Sequence, residues 1–164
     1  GSALLWRIWT RGGEVGERWS KLAALWESRI GHGGYAFNDV HATMAFVGAG
    51  RFDLARTQIE TLRKAARGTG DNAAMSAQVG LPVAQALLAF GQGDWRNSAD
   101  LLIGARAHAI RFGGSNAQRD VLVWTATEAA LRAGDAAMAQ ALIAERRTAK
   151  PDSRISLDWA RRAA

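Results

Sequence analysis

The sequence predicts an all-α chain: an α-solenoid of antiparallel helix pairs closed by a C-terminal capping helix. Three observations carry that expectation. Alanine supplies 34 of the 164 residues, while Val, Ile and Thr together supply 22. That balance favours helix, because alanine loses no side-chain entropy there and β-branched residues do. Fourteen of the 18 glycines fall in clusters at 12/13, 31/33/34, 48/50, 68/70, 91/93, 113/114 and 134, leaving stretches of ordinary helix length between them. Within those stretches apolar residues recur every three or four positions, and no comparable period-two alternation competes.

Taken in order, the first stretch opens with Ala3-Leu4-Leu5-Trp6-Arg7 directly after Gly1-Ser2. With no lead-in, it is expected to be an introduced end on a fragment of a longer chain. The 14–30 stretch carries the stripe Val15, Trp19, Leu22, Trp26 and Ile30. A helix over 36–48 precedes one over 51–67 with the stripe Phe52, Ala55, Ile59, Leu62 and Ala66. In the 72–91 stretch Pro82 removes the backbone donor to Gln78, so a kink or a break into 72–79 and 81–91 is expected. The 94–112 stretch shows Trp95, Ala99, Leu102, Ala105, Ala109 and Phe112 on one face. Helix 115–133 opens on a capping box, Ser115 with Gln118, and Asp71, Asp94 and Asp135 are further cap-type residues. Lys150-Pro151 ends the last long helix, and 153–163 reads as a cap.

The same phrase recurs along the chain. Gly48-Ala-Gly-Arg-Phe-Asp-Leu-Ala55 returns as Gly91-Gln-Gly-Asp-Trp-Arg-Asn-Ser-Ala99 and as Ala133-Gly-Asp-Ala-Ala-Met-Ala139. Gly50, Gly93 and Gly134 are spaced by 43 and 41 residues, and Gly13 precedes Gly50 by 37 in a weaker copy. A helix pair closed by a glycine turn and repeated near 40 residues is a solenoid signature, longer than the ~34 residues of a standard tetratricopeptide repeat. The expectation is one tetratricopeptide-like domain over 1–164. Its helix pairs lie at roughly 3–31, 36–67, 71–113 and 115–150, with the cap at 153–163.

Several segments carry a family resemblance. Gly80-Leu-Pro-Val-Ala-Gln-Ala-Leu-Leu-Ala-Phe90, the Gly-Asp-Trp turn after it and above all Gly113-Gly-Ser-Asn-Ala-Gln-Arg-Asp-Val121 resemble the tetratricopeptide repeat protein 38 family. So do Phe37-Asn-Asp-Val-His-Ala42 and Glu145-Arg146 with Lys150-Pro151. The similarity runs over most of the chain and matches the family's C-terminal portion. It implies a stacked helical-repeat fold in a soluble, cytoplasmic protein, and it implies no reaction.

Charged residues at 22% and hydrophobic ones at 48% are globular values, and the absence of cysteine excludes disulfides and thiolate metal sites. No apolar run reaches the ~20 residues a bilayer needs, so no membrane partner is expected. The net charge of +6 raises binding to RNA or another polyanion. The basic residues are dispersed, however, and the densest group (Arg146, Arg147, Lys150, Arg154, Arg161, Arg162) is interrupted by acids, so nucleic acid is not the expected partner. No phosphate loop and no nucleophile elbow are present, and neither a cofactor nor catalysis is expected of this fragment. His41 lacks a helical partner ligand, and no metal is expected.

The opening turns of helices 36–48, 72–91 and 115–133 are polar: Asn38, Asp39, His41, Asn72, Gln78, Asn116, Gln118, Arg119 and Asp120. Amides pair with peptide backbone and guanidinium forks a carboxylate. One expectation is therefore a concave groove that binds a peptide or partner helix through Asn38, Asp39, His41, Asn72, Gln78, Asn116, Arg119 and Asp120. The competing expectation is capping and inter-repeat bracing by the same residues. At the level of function, the first reading is a protein-interaction scaffold. The alternative is a structural half of a larger enzyme or small-molecule-binding protein whose active part lies in a missing N-terminal region. Leu4, Leu5, Trp6, Ile8 and Trp9 are expected to form an exposed apolar end through which a homodimer could form.

Overall fold

The structure, a computed structural model, describes the backbone of residues 1–164 and the side chains of all but Arg111. Among the described residues there are nine helices and no strand. They are α1 (Ser2–Thr10), α2 (Arg18–Glu27), α3 (Ala36–Gly48), α4 (Phe52–Ala65), α5 (Asp71–Gly91), α6 (Trp95–Arg106), α7 (Asn116–Arg132), α8 (Ala136–Ala149) and α9 (Arg154–Arg162). The all-α expectation holds. Two helices are shorter than their stripes suggest: 14–30 contracts to α2, and 94–112 ends at Arg106 before a separate 3-10 turn, Ala109–Phe112.

Consecutive helices pack on each other: α3 on α4, α5 on α6 and α7 on α8, with α5 also on α3 and α7 on α6. Residues 49–51, 92–94 and 133–135 make three equivalent turns. At each, the central glycine has positive φ (70°, 81° and 71°). The next residue's N–H returns to a carbonyl five back: Arg51 to Phe46 at 2.8 Å, Asp94 to Ala89 at 2.9 Å and Asp135 to Ala130 at 3.0 Å. The glycine N–H meanwhile reaches the carbonyl three back, which completes a Schellman closure at all three turns. The end of α1 closes the same way, with Gly13 N–H on Ile8 O and Gly12 N–H on Trp9 O, both at 2.9 Å. Gly12, at φ 76°, is therefore the residue equivalent to Gly50, and the weaker copy shifts by one position from the spacing read at Gly13.

The first glycine of each Gly-x-Gly pair has a different task. A Cβ at Gly48 would fall inside the Trp19 indole, and one at Gly91 would fall on Val47. Bare backbone there lets α2 close on α3, and α3 on α5.

Pro82 neither breaks nor ends its helix. The chain widens into a π-helical turn over Ser76–Gly80, immediately ahead of the proline, and continues to Gly91. Such a turn redistributes the carbonyls that the proline cannot engage. α5, 21 residues long, is the one described helix long and apolar enough to cross a membrane: an 18-residue window within it has mean hydropathy 1.4, and 56% of that window is buried inside the protein. Of the four cap-type residues, Ser115 forms the full capping box and Asp135 accepts from Met138 N–H. Asp71 instead begins α5 behind Gly70, and Asp94 occupies its cap position without bonding the helix backbone.

The largest departure from expectation is α1. It does not form a helix pair with α2 over 3–31 but packs on α3 and α7. Trp6 is fully buried, with its ring 5.6 Å from Phe90 and 6.5 Å from Trp19. The expected exposed apolar end therefore shrinks to Leu4 and Ile8, which are 64% and 38% exposed. A single amphipathic helix buries its aromatic stripe wherever a complementary surface exists, and α7 supplies one.

Candidate functional site

The opening turns of α3, α5 and α7 meet at one end of the molecule. Asn72 joins the first two: its Oδ1 accepts from Ala36 N–H at 3.0 Å and its Nδ2 donates to Gly33 O at 2.9 Å. Tyr35 and Phe37 join the first to the third by lying over Gly113 and Gly114, and Phe37 also meets Phe112 at 5.5 Å. Both glycines have positive φ, and a Cβ on Gly114 would stand 2.5 Å from the Phe37 ring. Gly114→Ala is accordingly expected to lower stability by about 2 kcal/mol, combining left-handed strain with overpacking. Urea denaturation of the variant measures it, and a loss under ~0.5 kcal/mol would show that Phe37 has room to move.

The groove candidates divide by what they touch. Asn72 braces α3 against α5. Arg119 donates to the carbonyls of Gly113 and Gly114 and to Asn116 Oδ1, so it fastens its own loop. Asp120 takes both guanidinium nitrogens of Arg146 and the Lys150 ammonium at 3.0 Å, with Arg7 of α1 at 3.6 Å. Burial opposes its charge, but Arg146 and Lys150 outweigh that and hold the Asp120 carboxyl below its ordinary value. His41 stacks on Phe37 at 4.2 Å, with Nδ1 2.8 Å from Phe37 O and Nε2 unpartnered. Burial lowers its pKa and keeps the imidazole neutral. Gln78 is exposed and sits apart, in a cleft between α5 and α6 beside Pro82 and Asn97. Asn38 and Asn116 are exposed, with Asn38 on the rim of a cavity.

That cavity holds about 330 Å3, the small end of the usual ligand-site range. The end of α2 contributes Trp26, the following loop Arg29, His32 and Tyr35, α3 Asn38 and Asp39, and α4 Gln58. Asp39 is the unusual group. Its Oδ1 accepts from Gln58 Nε2 at 3.0 Å, while its Oδ2 is buried without a partner. Burial pushes its pKa up to about 6; the Gln58 hydrogen bond and the His32 charge oppose the rise without cancelling it. A carboxylate poised between charged and neutral near physiological pH marks a functional candidate.

Asp39 and Asn38 were expected site residues. Trp26, Arg29, Tyr35 and Gln58 were not. Trp26 sits on the α2 stripe and reads as core. Gln58, three residues after Ala55 and four before Leu62, is a polar residue on an otherwise apolar stripe, and that mismatch was its signal.

A second polar junction lies where α1, α7 and α9 meet. Glu128, fully buried, accepts from Trp159 Nε1 at 2.6 Å and from both Arg162 nitrogens at 2.9 Å, with Arg11 at 3.6 Å and Arg132 at 4.0 Å. Arg11 also holds Asp158 at 2.7 Å. Together with Asp120, Glu128 lets α7 grip α1 through Arg7 and Arg11. Between these ion pairs two tryptophan–threonine bonds cross in opposite directions: Trp6 Nε1 to Thr125 Oγ1 and Trp124 Nε1 to Thr10 Oγ1, both 2.9 Å. Among the described residues no cluster of His, Asp and Glu could hold a metal ion.

No protein-family model matches the sequence, and no solved structure matches the fold.

Proposed function

We propose that the chain is a tetratricopeptide-like α-solenoid of antiparallel helix pairs, capped by α9, and that it works as an interaction scaffold receiving a partner helix on its inner face. Three Schellman turns at matching repeat positions support the solenoid reading, as does the sequence resemblance around Gly113-Gly-Ser. One observation carries the functional reading. The face formed by α3, the end of α5 and α7 has the chemistry to seat an amphipathic helix, and α1 is seated there. The seat offers a pocket for one tryptophan, a threonine and an indole N–H for reciprocal bonds, and carboxylates for two basic residues four positions apart. The partner class is therefore a short amphipathic helix with that pattern, competing with α1 for the same face. The resemblance makes the cytoplasm the proposed location.

Arg7→Ala with Arg11→Ala loosens α1 while sparing its buried tryptophan. A labelled peptide of residues 1–13 is expected to bind this double variant at least tenfold more tightly than the unaltered protein, as a self-occupied site demands. Fluorescence anisotropy reads the difference. Equal, weak binding to both proteins would count against a helix-receiving face.

A further inference from the structure

Three arginines from three different helix ends converge on one carboxylate at the second junction. Arg11, just past α1, lies 3.6 Å from Glu128, and Arg132 at the end of α7 lies 4.0 Å from it. Arg162 at the end of α9 grips the same carboxylate with two bonds of 2.9 Å. The Glu128 side chain is fully buried, whereas those of Arg11, Arg132 and Arg162 are 29%, 32% and 38% exposed. The carboxylate thus lies behind the arginines. They line a cavity of about 360 Å3 together with Thr10, Gly12 and Asp158, and Glu128 is not part of its wall.

Each guanidinium carries five N–H donors. Among the described residues Arg11 commits one nitrogen to Asp158, Arg132 one to Thr10 O, and Arg162 two to Glu128. Donors remain on all three. Arg161 lies 3.6 Å from Asp158, so four guanidinium groups here meet two carboxylates, Glu128 and Asp158, and positive charge is left over.

We propose that this cavity binds a phosphoryl dianion, carried by a small phosphate monoester, between Arg11, Arg132 and Arg162. Charge and shape select the class. A carboxylate ligand brings one charge and two oxygens in a plane, which a single guanidinium fork satisfies. A phosphate monoester brings close to two charges and three terminal oxygens in three directions, one for each arginine. Asp158, the carboxylate in the wall, opposes the ligand, and Arg11 and Arg161 offset it. The cavity is larger than a phosphoryl group needs, which leaves room for the ester substituent. The site requires α1 in its seat, because Arg11 follows that helix, but it requires no partner helix and does not rest on the helix-seating reading.

The test is a titration of the 15N-labelled protein with methyl phosphate at constant ionic strength, following the backbone amides of Arg11, Gly12 and Asp158. A shift that saturates at millimolar methyl phosphate is expected. Dimethyl phosphate, the same tetrahedral centre with one charge and two terminal oxygens, should bind at least tenfold more weakly, and so should acetate. Arg11→Ala is expected to weaken methyl phosphate binding at least tenfold. Asp158→Asn removes the carboxylate from the wall and should tighten binding at least threefold, a gain that misfolding does not produce. Asp152→Asn, an equal charge change at an exposed residue outside the cavity, should leave binding unchanged. A shift that never saturates would overturn the proposal. So would dimethyl phosphate or acetate binding as tightly as methyl phosphate, no gain from a folded Asp158→Asn protein, or an equal gain from Asp152→Asn. Inorganic phosphate binding tenfold more tightly than methyl phosphate would overturn the ester assignment in favour of the free ion.

Discussion

Glu128→Ala is expected to remove about 3 kcal/mol of unfolding free energy, because it strips the shared acceptor from a fully buried junction. For a chain of this size that corresponds to a fall in Tm of roughly 6–12 °C. Three consequences add up. The Trp159 N–H loses its acceptor inside the protein, Arg162 loses a bidentate partner, and Arg11 and Arg132 lose a neighbouring carboxylate, Arg11 keeping Asp158. The arginines still reach water, which places the loss near the lower end for a broken buried ion pair. Glu128→Gln keeps one oxygen for Trp159 and should recover part of the difference. Chemical denaturation decides it: a loss under ~1 kcal/mol for the alanine variant would mean that water replaces the carboxylate at little cost.

Asp39→Asn should act in the opposite direction. The folded protein holds the Asp39 proton more tightly than the unfolded chain, since the pKa of about 6 stands above the ordinary carboxylate value near 4. Its effect on stability is therefore smallest at low pH. Stability then declines as pH rises from about 4 to about 6 and levels off above, where a charged carboxylate is buried half-unpaired. Asparagine removes the charge and still accepts from Gln58. At pH 8 the variant is expected to be more stable by about 2 kcal/mol, a little less than the full linkage figure because water reaches the cavity mouth. At pH 4 the two proteins should be equal. Urea midpoints across this range test the sign, and a variant less stable at pH 8 would show that Oδ2 has a donor after all.

The two substitutions also show which parts of the molecule local sequence can reveal. Helix ends were legible wherever one residue decides them. Glycine is favoured at the left-handed position that closes α3, α5 and α7, and Ser115 with Gln118 satisfies its own helix's first donors. The opening turns were legible as polar clusters, although most of those residues brace the fold. Asn72 and Arg119 bond backbone in neighbouring turns, and Asp120 holds α8. Such roles differ from a groove role only in distances that no spacing encodes. The place of α1 was not legible, because its stripe specifies that a face must be buried and says nothing of which surface buries it. That choice rests on Thr125 and Glu128, more than a hundred positions away. The π turn before Pro82 escaped for a related reason: a missing donor allows a kink, a break or a widened turn, and packing around α5 selects among them.

The junction at Glu128 also alters how the molecule carries load. An array of units that touch only their neighbours frays from its ends. Here Arg11 and Asp158, 147 positions apart, are bonded directly, and the first and last helices share one carboxylate of α7. A pull that separates α1 from α9 loads this ionic clasp directly. Separating α1 from α9 is therefore expected to break this clasp first.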